Sequence, residues 1–77
     1  MLSSEQVLDQ YFLETRCRLL EIAATLDRYD EAERRSGSAP SDGRLEKIYR
    51  SLELLADRHA PPGRTQRILE LFSDPAG

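Results

Sequence analysis

The sequence predicts an all-α fold, a small antiparallel helical bundle with one long helix, a second helix and a short third. Apolar residues recur at intervals of three and four along most of the chain, which is the helical period. Leucine occurs 12 times whereas valine and isoleucine together occur four times, which favours helix over sheet. Glycine and proline interrupt the pattern and separate three segments. We therefore predict a single three-helix domain over residues 1–77.

The first helix is predicted over residues 4–35, because neither glycine nor proline interrupts that stretch. Ser3 or Ser4 is a suitable N-cap, and Ser3 has, together with Gln6, the spacing of a capping box. Gly37 can adopt the left-handed conformation that commonly follows the last helical residue. Residues 36–41 are small and polar and include a proline, so we predict that they form a linker.

The second helix is predicted over residues 42–60, with Asp42 or Ser41 as its candidate N-cap. A Pro-Pro-Gly run at residues 61–63 ends it, because proline lacks an amide hydrogen and restrains the residue before it. The third helix is predicted over residues 64–72, and a Ser-Asp-Pro run at residues 73–75 ends it.

Composition narrows the class of protein. Hydrophobic residues make up 39% of the chain and charged residues 32%, which is typical of a globular domain. No apolar run exceeds three residues, so we predict neither a membrane span nor a signal-peptide core. The single cysteine excludes an internal disulfide and a multi-cysteine zinc site. A lone thiol without a targeting segment favours a cytoplasmic location.

The first helix carries two apolar faces. One face has the alternating spacing of four and three that is typical of helices packed at shallow angles. We call it the seam, and it consists of Leu8, Phe12, Thr15, Leu19, Ile22, Leu26 and Tyr29. The other face lies roughly 100–160° further round the helix. We call it the stripe, and it consists of Leu13, Cys17, Leu20 and Ala24.

The seam is expected to pack against the second helix, whose apolar face holds Leu45, Ile48, Tyr49, Leu52, Leu55 and Ala56. Two occupants of the stripe stay open, the third helix of the same chain or another chain. Because the first helix is longer than its partners, we expect a homodimer, with two copies antiparallel across a two-fold axis. Ala24 would allow close approach, and Arg16 would lie near acidic groups of the other copy. An unidentified protein is the other candidate partner.

Three charged residues, Asp9, Arg16 and Asp27, lie between the seam and the stripe. Charged side chains are rarely buried unless they are paired. Asp27 follows Leu26 of the seam directly and is therefore a candidate buried charge. We expect it to bond an arginine such as Arg44, or an amide of the second helix, and to set the packing register.

No motif in the sequence assigns a catalytic residue, a metal ligand or a cofactor. Glu14 and Glu21 are seven residues apart, like half of a bundle metal site, but no glutamate has a histidine three residues later. Cys17 lies among leucines in mid-helix, which is typical of a small packed hydrophobe. An enzyme that uses Glu14, Glu21, Asp27 and the lone His59 is the alternative to a non-catalytic protein.

Basic residues are concentrated over residues 44–67, which contain six of them against three acids. The chain as a whole carries a net charge of −3, which argues against nucleic-acid binding. A weak nucleic-acid adaptor that uses Arg44, Arg50, Arg58 and Arg64 is a third interpretation. The sequence favours a small soluble interaction or structural protein that acts through its apolar helix faces.

Overall fold

The computed structural model describes residues 1–73 of the chain, and these form three helices without a strand. The chain divides into two compact units. The first unit is Met1–Ala39 and contains α1, Ser4–Ser36. The second begins at Pro40 and contains α2, Arg44–Ala56, and α3, Arg64–Ser73. The all-α class and the long first helix are confirmed, whereas the antiparallel bundle stays a prediction.

Local signals set both ends of α1. Its N-cap is Ser3, whose Oγ accepts the Gln6 amide at 3.2 Å, while the Gln6 Oε1 accepts the Ser3 amide at 2.8 Å. This reciprocal pair is the predicted capping box, and it satisfies two amides that the helix leaves free. Gly37 follows the helix with a φ of 73° and donates its amide to the Glu33 carbonyl at 2.8 Å. The 33 residues span about 50 Å.

The second helix is shorter than predicted, because α2 begins at Arg44 and not at residue 42. Gly43 occupies the N-cap position in the left-handed region, with a φ of 83°, so the helix cannot extend back through it. Asp42 still acts at this end, since its Oδ1 accepts the Arg44 amide at 3.1 Å.

The C-terminal end of α2 also differs from the prediction, since the helix ends at Ala56 and not at residue 60. Asp57 leaves the helical conformation, with a ψ of 94°, and its Oδ1 accepts the His59 amide at 3.2 Å. This local bond offers the backbone an alternative to another helical turn. His59 therefore lies in the connection between α2 and α3 and is exposed.

Two arginines of α3 hold the connection between α2 and α3. The Arg64 Nη2 donates to the carbonyl oxygens of Asp57, at 3.1 Å, and Arg58, at 3.4 Å. The Arg67 Nη2 donates to the carbonyls of Pro61, at 2.8 Å, and Pro62, at 2.9 Å. Guanidinium groups thus satisfy carbonyls that lie beyond the end of a helix, where the helix itself supplies no donors.

The face of α2 that loses most exposure holds Ser51 together with half-buried apolar side chains. Ser51 is the one buried residue in the part of the chain that the structure describes, and its Oγ donates to the Lys47 carbonyl at 2.8 Å. Lys47 and Leu54 share the helix face of Ser51 and line grooves together with Leu71 of α3. Of the predicted apolar face, Leu45, Ile48 and Leu52 are half-buried, whereas Tyr49, Leu55 and Ala56 are exposed. Asp74 and Pro75, assigned above to the end of the third helix, lie outside the described residues.

Candidate functional site

The stripe lies on one face of an uninterrupted helix. Its members recur at intervals of four, three and four residues, and α1 is helical throughout that range, so their side chains lie in one line. Leu13 is 72% exposed and Leu20 is 54% exposed. Cys17 is exposed with a free thiol, and Ala24 is half-buried. The structure thus brings the four predicted interface residues together, and their coverage by a partner stays a prediction.

Most of the seam is exposed as well, and its packing against the second helix stays a prediction. Leu8 is 63% exposed, Phe12 is 60% and Leu19 is 57%. Leu26 and Tyr29, at the C-terminal end of the seam, are half-buried. At 100° per residue the centre of the seam lies about 160° from the centre of the stripe. α1 therefore presents apolar side chains on two nearly opposite sides, and none of its residues is buried.

One edge between the two faces carries the charges named above. Arg16 and Asp27 are both exposed on this edge, as is Asp9. Asp27 is thus accessible, and its burial against a packed helix stays a prediction. Arg44, the bonding partner suggested for it, directs its Nε to the Asp42 Oδ2 at 2.8 Å.

The opposite edge of α1 is a charged, exposed face. Arg18 donates its Nη2 to Glu14 one turn earlier, and the two side chains are 69% and 52% exposed. Exposed pairs of this kind contribute at most about 1 kcal/mol to stability. The Thr25 hydroxyl donates to the Glu21 carbonyl at 2.9 Å. Both interactions join residues of α1 to each other.

The carboxylates proposed for metal or acid–base chemistry do not converge. Glu14 and Glu21 are two turns apart, which is about 10 Å along the axis. Within residues 1–73, no group of three or more His, Cys, Asp or Glu side chains could hold a metal ion. Over the same residues, no helix is long and apolar enough to cross a membrane.

One carboxyl group has a shifted pKa. The backbone amide of Arg44 donates to Asp42, and this bond, with the Arg44 charge, lowers the pKa of the Asp42 carboxyl below its ordinary value of 3.8. The bond favours the ionised form because a carboxylate is the better acceptor. Asp42 is exposed and the two largest effects that lower its pKa both come from Arg44, so its role is local, at the start of α2.

Several basic residues of the second unit bond to groups of that same unit. Arg44 pairs with Asp42, and Arg64 donates to two backbone carbonyls. The groove that contains Arg50 and Lys47 is also lined by acids, namely Glu46 and Glu70. A phosphate backbone needs cations that are clustered and free of acids. The sequence pattern placed Arg64 among the surface cations, because no local pattern marks an arginine that donates to backbone carbonyls of the preceding connection.

Comparison with models of protein families, with curated proteins and with solved structures found no match to this chain. Within the first unit, α1 presents large exposed apolar side chains on two of its faces.

Proposed function

We propose that the chain is a small helical interaction protein that acts through the apolar faces of α1 and associates with a second copy of itself. One observation carries the proposal: α1 has 33 residues and buries none of them, while large apolar side chains occupy two of its faces. Most helices in proteins owe their stability to the packing of an apolar face against a partner. Association supplies that packing for α1.

The stripe is the surface that we assign to the homodimer. Two copies related by a two-fold axis present the same patch to each other, so a self-complementary line of side chains is sufficient. Leu13 and Leu20 supply most of the apolar area, and Ala24 lets the two backbones approach. In this dimer Arg16 lies at the rim of the interface, near acidic groups of the second copy. The lone thiol of Cys17 lies within the interface and fits a reducing, cytoplasmic location.

The oligomeric state of the purified chain tests this proposal. Sedimentation equilibrium at micromolar concentration is expected to give a mass above the 8.8 kDa of one chain. Leu20→Glu is expected to reduce the mass, while circular dichroism still reports helix. A wild-type mass of one chain across the micromolar range would contradict self-association through either face.

A further inference from the structure

We propose that the seam is a second self-association surface, and that the seam of another copy, parallel and in register, occupies it in place of the second helix. The inference rests on the proposed function only in assuming that α1 acts by association. It concerns a different face from the stripe, and it specifies the orientation of the two chains. Three features of the seam support this arrangement, namely its spacing, its exposure and the side chains along its two edges.

The spacing of the seam is that of a two-stranded coiled coil. Its seven residues alternate at intervals of four and three over 22 residues, which corresponds to a repeat of seven. In a parallel pair each of these side chains meets its own copy. Phe12, Leu19 and Ile22 then each form one layer of the pair, and all three are exposed in the single chain. Thr15 supplies the one polar layer between Phe12 and Leu19, and polar layers of this kind help to specify register.

The edges of the seam favour the parallel orientation. In a parallel coiled coil, the residue directly before Phe12 or Leu26 lies at the edge of the seam. It faces a residue of the other chain whose number is five higher. Tyr11 then faces Arg16 of the second copy, and a guanidinium beside an aromatic ring is a favourable contact. Thr25 faces Asp30 of the second copy, so a neutral side chain meets the carboxylate while the Thr25 hydroxyl donates to Glu21 of its own helix. Each contact occurs twice across the two-fold axis.

An antiparallel arrangement of the same seam loses these contacts. With Leu19 opposite Ile22 of the second copy, Asp9 faces Asp30 on both sides of the pair, and like charges repel. Leu8 then lies opposite Glu33, an apolar side chain against a charged one. The parallel pair brings acids of the two chains together only beyond the ends of the seam, where water and salt screen them.

Site-specific cross-linking tests the orientation. In a full-length Cys17→Ser background, Thr15→Cys places a thiol on the seam. In the parallel register the two introduced thiols face each other across the axis, within the reach of a disulfide. In the antiparallel register they lie 11 residues apart, which is about 16 Å along the axis. Glu21→Cys in the same background is the matched control on the charged face.

We expect mild oxidation to join Thr15→Cys chains into covalent dimers and to leave Glu21→Cys chains unjoined. Failure of Thr15→Cys to cross-link while the wild-type mass exceeds one chain would overturn the parallel seam. Equal cross-linking of both variants would overturn it too, because only random collisions would then be recorded.

A pair of neighbouring leucines separates this inference from the proposed stripe dimer. Leu19 lies on the seam and Leu20 on the stripe, and the two are almost equally exposed. We expect Leu19→Glu and Leu20→Glu each to lower the wild-type mass. If Leu20→Glu alone lowers it, the stripe dimer stands and the seam proposal fails. If Leu19→Glu alone lowers it, the seam proposal stands and the stripe dimer fails. A wild-type mass of one chain overturns both.

Discussion

Leu20→Glu is the sharpest test of the stripe, because its effect can be worked out from the exposure of one side chain. Full burial of a leucine stabilises by about 1.5–3 kcal/mol. Leu20 is 54% exposed, so covering the remainder contributes about 0.8–1.6 kcal/mol per copy. Two copies together contribute about 1.6–3.2 kcal/mol to the dimer.

Glutamate removes this contribution and adds a carboxylate, whose burial without a partner costs several kcal/mol more. We therefore expect the dissociation constant of the stripe dimer to rise by at least about a hundredfold, since each 1.4 kcal/mol is a factor of ten. Sedimentation equilibrium over a concentration series measures this change. Leu20→Ala, which removes packing without adding charge, should weaken the dimer by only about tenfold.

Val7→Glu is the matched control for added charge. Val7 is exposed on the same side of α1 as Glu14 and Arg18, away from both apolar faces. It introduces the same side chain and the same change in net charge, so the mass should stay at the wild-type value. Equal losses of mass in Val7→Glu and Leu20→Glu would refute the reasoning, because charge alone would then explain the effect.

Three further predictions concern the ends of the helices. Ser3→Ala should destabilise the first turn of α1 by about 1 kcal/mol, because the Gln6 amide loses its acceptor, and faster hydrogen exchange at that amide measures the loss. Arg64→Ala should speed exchange and proteolysis in the connection between α2 and α3 while α1 is unaffected, and equal effects on both units would contradict a local role. The lowered pKa of Asp42 means that its ionised form is stabilising above pH 3.8 and that this contribution is lost as the pH falls through the lowered value. An NMR titration should therefore give Asp42 a midpoint below 3.8, and Asp42→Asn should remove the coupled change at the Arg44 amide.

The ends of α1 were predictable because their signals are local. Ser3 and Gln6 are three residues apart, and Gly37 follows directly after the last helical residue. Each signal acts within one helical turn, so the neighbouring residues are sufficient to predict where the helix begins or ends. The end of α2 was not predictable in the same way. There Asp57 leaves the helical conformation before the two prolines. Arg64, which belongs to the next helix, donates to the Asp57 carbonyl.

Burial was the least predictable property, since a pattern records which side chains prefer to be covered but not what covers them. The apolar period of the seam was read correctly, because α1 is helical across all of it. The packing of that face against the second helix stays a prediction, because spacing contains no tertiary information. Ser51 was not predictable from spacing either. It is the buried residue of α2 and lies beside the predicted apolar face, of which Leu45 and Leu52 are half-buried and Tyr49 is exposed.

The geometry of α1 limits how a partner can cover it. A single helix packed along α1 covers an apolar face of about 100°, whereas the seam and the stripe are centred about 160° apart. One neighbour can therefore cover either face but not both. The charged edge with Asp9, Arg16 and Asp27 separates them on one side, and the Glu14–Arg18 face separates them on the other. Two neighbouring helices are therefore needed to bury both faces. For this reason a change at Leu19 should release the partner of the seam alone, and a change at Leu20 the partner of the stripe alone.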